Sequence, residues 1–155
     1  MKINEILESV KSGKISTKDA KKLLTLYSIE EVENFAKIDV NRSKRRGVPE
    51  VIFAETKELE DIKKIIKKTL EKTNLVIVSR IKKEDYKKLI LFVKKLKVKI
   101  ETGKNSSTIL IFKKPIKFQG GKVGILTAGT SDIGVAEEAR LMCEAMNCKC
   151  ITSYD

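Results

Sequence analysis

The sequence predicts an α/β protein: N-terminal helices, a small α/β domain, and then the start of a second β-α-β unit. Three observations carry this. Between residues 51 and 112, short apolar runs alternate with segments of helical periodicity. Leu75 to Ser79 is a continuous apolar run, typical of a strand covered on both faces. Val123 to Leu126 is read as a buried strand that feeds a turn of small residues and then an amphipathic helix.

The first forty residues read as helices. Ile3, Ile6, Leu7 and Val10 share one face, and Gly13 stands where a helix C-terminus favours glycine. Ser16 caps a second helix, with Asp19 three residues on in a capping-box-like arrangement. Ala20, Leu23, Leu24 and Tyr27 form its apolar face, so the pair is expected to be a hairpin docked on another part of the protein. Residues 1–48 are thus a helical segment closed by a basic loop, where Arg42, Lys44, Arg45 and Arg46 precede Gly47 and Pro49.

The small α/β domain is assigned to residues 49–113. Val51 to Ala54 is a short strand, and Leu59, Ile62, Ile65, Ile66 and Leu70 define an amphipathic helix. After the strand at 75–79 comes a second helix with Leu89, Ile90, Val93 and Leu96 inward. Val98 to Ile100 and Thr108 to Phe112 are further strands, joined by the turn Gly103-Lys-Asn-Ser-Ser107. Pro115 and the pair Gly120-Gly121 mark residues 114–121 as a linker, and the last unit is residues 122–155, with a strand at Cys148 to Ser153.

The turn Thr127-Ala-Gly-Thr-Ser-Asp132 is the strongest candidate site. A strand feeding a small-residue loop and a helix start presents bare amides and the positive helix end to an anion. Gly129 permits close approach of a ligand to the main chain. Ser131 can cap the helix, and its hydroxyl or that of Thr130 can donate to an oxygen ligand. Asp132 competes with an anion and suits a hydroxyl, a ring substituent or a proton in transit. An ordinary, well-capped strand-to-helix turn fits the same pattern. In the basic loop, arginine's planar fork suits oxyanions, while a plain solvated loop is the alternative.

Composition narrows the classes. The hydrophobic fraction of 41% excludes disorder. Thirty-three Lys and Arg against twenty-one Asp and Glu give a formal charge of +12, which invites a nucleic-acid partner. Lysine dispersed beside glutamate, as in Lys57-Glu-Leu-Glu-Asp-Ile-Lys-Lys64, and an aromatic content of 5% favour solvated helix faces instead. The absence of an apolar run approaching ~20 residues, and of an export signal, predicts a cytoplasmic protein without membrane association. Cys143, Cys148 and Cys150 are expected to be reduced, buried structural thiols, because their spacing matches no zinc pattern and the chain has no histidine.

Two segments carry a resemblance. Thr127-Ala-Gly-Thr-Ser-Asp-Ile-Gly-Val-Ala-Glu-Glu-Ala139 resembles the opening loop of the LarB family, enzymes related to the aminoimidazole ribonucleotide carboxylases and mutases of purine synthesis. Asp39-Val-Asn-Arg-Ser-Lys-Arg-Arg-Gly-Val-Pro-Glu-Val-Ile-Phe53, followed by Lys57, is similar to the N-terminal region of LarB proteins. The resemblance implies that residues 122–155 begin a flavodoxin-like (PurE-like) doubly wound domain, incomplete here. It implies a parent enzyme that carboxylates the pyridinium ring of nicotinic acid adenine dinucleotide and hydrolyses its phosphoanhydride, in nickel-pincer nucleotide cofactor synthesis. Carbon dioxide or bicarbonate would be the co-substrate, with no covalently bound cofactor and room for magnesium. Gly129, Thr130, Ser131, Asp132, Arg45 and Arg46 would bind the nucleotide, and the full-length enzyme would be a homo-oligomer of octamer type. The catalytic set is incomplete: the family's Gly-Ile-His-Arg-like segment and late cysteine are missing, so the chain reads as a truncated, inactive part of a longer enzyme. Gly134 replaces the family's usual proline and is expected to loosen the turn. A purine-pathway carboxylase or mutase is the nearest alternative, and a basic nucleic-acid-binding module the more distant one.

Overall fold

The computed structural model describes residues 3–26, 29–32, 36–39, 48–118 and 120–155. Helices α1 (Ile3–Lys11) and α2 (Thr17–Leu26) form the expected hairpin. Gly13 adopts a left-handed φ of 72°, and its amide donates to the Val10 carbonyl at 3.0 Å. The Asp19 amide donates to Ser16 Oγ at 3.0 Å, and the Ser16 hydroxyl bonds the Asp19 carboxylate at 2.6 Å. Ile6 and Ala20 are buried, but Leu7, expected on the inner face, is exposed.

The helical reading of the first forty residues needs correction after α2. Strands β1 (Ile29–Val32) and β2 (Ala36–Asp39) form an antiparallel hairpin with Ile29 opposite Asp39 and Val32 opposite Ala36. Four residues ending in β-branched Ile29 and Val32 are too few to repay helix nucleation, whereas cross-strand pairing satisfies their backbone at once.

A four-stranded mixed sheet forms the centre. Its strands are β3 (Val51–Phe53), β4 (Leu75–Ser79), β5 (Lys99–Thr102) and β6 (Ile109–Phe112), in spatial order β3-β4-β6-β5. β3 and β4 run parallel, β6 is antiparallel to β4, and β5 is antiparallel to β6. Helices α3 (Leu59–Lys72) and α4 (Lys83–Lys95) follow β3 and β4. Period-2 alternation sorts the central strands cleanly. Val76 and Val78, with Ile109 and Ile111, join Ile62, Ile66, Leu89 and Val93 in the larger core. Ile77 and Leu110 point to the opposite face.

That opposite face is covered by the last unit, made of β7 (Lys122–Thr127), a 3-10 turn (Thr130–Asp132), α5 (Ile133–Ala145) and β8 (Lys149–Tyr154). Leu141 and Ala145 of α5 pack on Ile77 and Leu110, which explains why β4 carries no polar residue before Ser79. The preceding stretch is fastened by Asn74, whose Oδ1 accepts from the Lys114 amide at 3.0 Å and whose carbonyl accepts from Lys113 at 2.8 Å. β7 and β8 pair in parallel, Val123 opposite Cys150 and Thr127 opposite Tyr154. β7 is not the buried strand expected: Leu126 is 80% exposed, because α5 covers one face of the pair and no described element covers the other.

Close approach holds α5 in place. A Cβ on Gly134 would lie 2.4 Å from the Asn105 carbonyl oxygen, and one on Gly103 2.6 Å from Glu137 Cβ. Gly134 therefore serves contact with the β5–β6 turn, a role that its expected loosening of the helix start does not include. Gly134→Ala should lower stability by about 1–3 kcal/mol through this clash, whereas Gly121→Ala, where a Cβ meets nothing within 4 Å, should cost far less. Urea midpoints of the two variants check the contrast.

Candidate functional site

The 127–132 turn sits where β7 ends and α5 begins, at the same end of the protein as the 103–107 turn that Gly134 touches. Thr130, Ser131 and Asp132 are exposed, and Gly129 is half-buried. Gly129 has an extended φ of −163°, open to any residue, so what it supplies is space. A Cβ there would lie 3.7 Å from both Ser131 Oγ and Asp132 Oδ2, so those two polar groups converge on the bare α-carbon.

The expected cap is absent. Ser131 does not cap α5; its hydroxyl bonds Asp132 Oδ1 at 3.4 Å, and the Asp132 amide donates to the Gly129 carbonyl at 3.0 Å. The 3-10 turn moves the helix start to Ile133 and leaves Asp132 at the N-cap position without a side-chain cap bond. Thr127 Oγ1, at the end of β7, is buried and has no hydrogen-bond partner among the described residues. A small patch of hydroxyl, carboxylate and amide groups thus gathers at a helix start, able to donate to an oxygen ligand and to accept from a hydroxyl. Arg45 and Arg46, the other predicted binders, lie outside the described residues, as do Arg42 and Lys44.

One turn into α5 lies a charge cluster that sequence reasoning missed. Arg140, 16% exposed, bonds Glu137 through Nε at 2.9 Å, Glu144 at 2.8 Å, Glu101 of β5 at 3.2 Å and the Thr102 carbonyl at 3.3 Å. The Tyr154 hydroxyl donates to Glu137 at 2.7 Å. The i, i+3 and i+4 spacing of Glu137, Arg140 and Glu144 was the available signal, although spacing alone does not show the partner from β5. Burial works to raise the Glu137 carboxyl, but the bonds from Arg140 and Tyr154 outweigh it and hold it below the usual range. At Glu144 burial wins and the carboxyl is raised. Desolvation would lower Arg140, yet Glu137 and Glu144 outweigh it and keep the guanidinium charged.

The cysteines are free and half-buried rather than fully buried. Desolvation, with neighbouring Cys143 next in weight, pushes Cys150 up to about 11, so it is a protonated thiol at neutral pH and a poor nucleophile. Among the described residues no cluster of three or more potential ligands could hold a metal ion, and no described helix is long and apolar enough to cross a membrane.

The LarB/PurE-like N-terminal domain matches residues 29–112, from β1 through β6. An uncharacterized protein of Methanocaldococcus jannaschii is 40% identical over 157 aligned residues, which cover 99% of this chain. The chain spans about 60% of the length of that curated relative.

Two outcomes follow for the cluster. Arg140→Met strands three carboxylates near one another and should cost about 2–4 kcal/mol in chemical denaturation. Glu137 is lowered in the fold, so its contribution is present above the unfolded carboxyl value and lost as pH falls through the folded one. Glu144, raised, acts in the opposite sense. Glu137→Gln should therefore flatten the fall in urea midpoint between roughly pH 5 and 2. An unchanged acid slope would remove Glu137 from the account.

Proposed function

This chain belongs to the LarB/PurE-like family, and we propose that it forms the N-terminal part of a LarB-type carboxylase. The reaction is carboxylation of the pyridinium ring of nicotinic acid adenine dinucleotide, with carbon dioxide or bicarbonate as co-substrate. Hydrolysis of the phosphoanhydride then gives the dicarboxylated mononucleotide and AMP. The observation that carries the proposal is the exposed turn at 130–132 between β7 and α5, where Ser131 and Asp132 lie close to the bare α-carbon of Gly129.

In this reading the turn binds and orients. The first-turn amides of α5 and the hydroxyls of Thr130 and Ser131 take phosphate or ribose oxygens, and Asp132 accepts from a hydroxyl. Arg45 and Arg46 supply cations for the phosphates. Ring activation calls for a thiolate, because covalent attack makes a neighbouring ring carbon nucleophilic enough to capture carbon dioxide. Cys150, held at about 11, is unsuited to that work. The active assembly would be a homo-oligomer of octamer type.

Ser131→Ala or Asp132→Asn in the full-length protein should lower kcat/KM at least tenfold with labelled bicarbonate and the dinucleotide. Arg45→Ala with Arg46→Ala should raise KM. Turnover of aminoimidazole ribonucleotide, with none of the dinucleotide, would assign the protein to purine synthesis instead. Wild-type kinetics in both turn variants would defeat the proposal.

A further inference from the structure

Beyond the 127–132 turn, a second group of side chains stands at the carboxyl ends of β3 and β4, where open parallel sheets receive ligands. Phe53 and Ser79 are the last register pair of these strands, and the Ala54 amide donates to the Ser79 carbonyl at 2.8 Å. Phe53 is 55% exposed, so part of its ring is open to a ligand. The next residue after β4, Arg80, has a left-handed φ of 55°, a conformation that non-glycine residues rarely adopt. Its guanidinium lies over the Phe53 ring, 5.6 Å from the centroid, and 3.3 Å from Glu55. Both members of that ion pair are more than 60% exposed, so an entering oxyanion displaces Glu55 at little cost.

The same end of the sheet faces the last unit. Ser79, fully buried beside Arg80, bonds Glu138 of α5 at 2.5 Å. The Ile81 amide donates to the Ser107 carbonyl at 3.0 Å, which brings in the turn that Gly134 touches. Phe53 and Arg80 therefore lie beside the element that the 127–132 turn opens.

We propose that Phe53 and Arg80 form a subsite for one nucleotide half of the substrate, a reading that rests on the function proposed above. The flat base stacks on the Phe53 ring face that Arg80 covers in the free protein, and the phosphate takes two hydrogen bonds from the planar Arg80 fork once the exposed guanidinium leaves the ring and Glu55 swings away. The pair is chemically suited to a nucleotide because it offers an aromatic ring and a forked cation within reach of one ligand, where a lone arginine offers only charge.

Titrating the 155-residue chain with AMP, followed by NMR, tests this, with adenosine and inorganic phosphate as separate probes. Saturable shifts at Phe53, Glu55 and Arg80 are expected, with each half-ligand at least tenfold weaker. Arg80→Asn, chosen because asparagine tolerates the left-handed backbone, and Phe53→Leu should each weaken AMP at least tenfold while melting like the parent. Arg80→Lys keeps the charge, loses the fork and should fall between, which keeps the test open if the asparagine variant misfolds. Lys68→Ala, a charge removed from the outer face of α3, should leave AMP affinity unchanged. No saturable response, or parent-like affinity in both Arg80→Asn and Phe53→Leu, overturns the subsite. Shifts confined to residues 129–132 overturn it too, yet leave the turn's own role standing.

Discussion

The structure depends on the seating of α5 against the second face of the mixed sheet. Ile77 and Leu110 alternate away from the main core by simple strand geometry, and they would be apolar side chains in water without Leu141 and Ala145. This face is the one that makes β4 read as a continuous apolar run. The segment after the linker thus completes the core of the segment before it, and the 127–132 turn inherits its position from that packing. Gly103 and Gly134 are where the approach is tightest: backbone meets backbone or Cβ, with no room for a side chain on either residue.

Polar groups then fix what apolar packing leaves loose. Leu141 and Ala145 resist separation from the sheet but allow α5 to slide, since apolar attraction has no direction. Arg140 removes that freedom. It reaches Glu101 and the Thr102 carbonyl across the interface while held on its own helix by Glu137 and Glu144. One partly buried guanidinium facing three carboxylates leaves surplus negative charge. Burial raises both carboxyls on α5, and the outcome differs by partner: at Glu137 the bonds from Arg140 and the Tyr154 hydroxyl outweigh it and the carboxyl is lowered, whereas at Glu144 burial prevails and the carboxyl is raised.

Much of the fold was legible because strand and helix periods differ. The run 75–79, the helix around Ile62 and Ile66, and the Ser16–Asp19 cap all carry local signals strong enough to survive folding. What was missed depended on partners distant in sequence. The β1–β2 hairpin escaped notice because Ile29-Glu-Glu-Val32 is too short to show a period. Leu126 was read as buried because its apolarity speaks for burial, whereas its exposure depends on which strands flank β7. In the candidate site, the residue types at 129–132 were readable, but the 3-10 turn that denies Ser131 its cap was not. Arg80 showed no sequence signal at all: its interest comes from a positive φ and from Phe53, twenty-seven positions away in the sequence.

Gly134 shows how resemblance and physics can part company. Judged against a pattern that usually has proline there, glycine looked like a loss of stiffness. Proline is welcome early in a helix because its missing amide costs nothing and its φ is preset. That argument concerns the helix alone. In this protein the position faces the Asn105 carbonyl, and a proline ring would occupy the space that this oxygen fills. Asn105 itself has a φ of 55°, a conformation asparagine accepts more readily than most residues. The tight turn at 105 and the bare α-carbon at 134 are therefore two halves of one fit. Stiffness lost within the helix start is replaced by contact with the turn beside it, so the geometry of the 127–132 segment depends on the β5–β6 turn as much as on its own sequence.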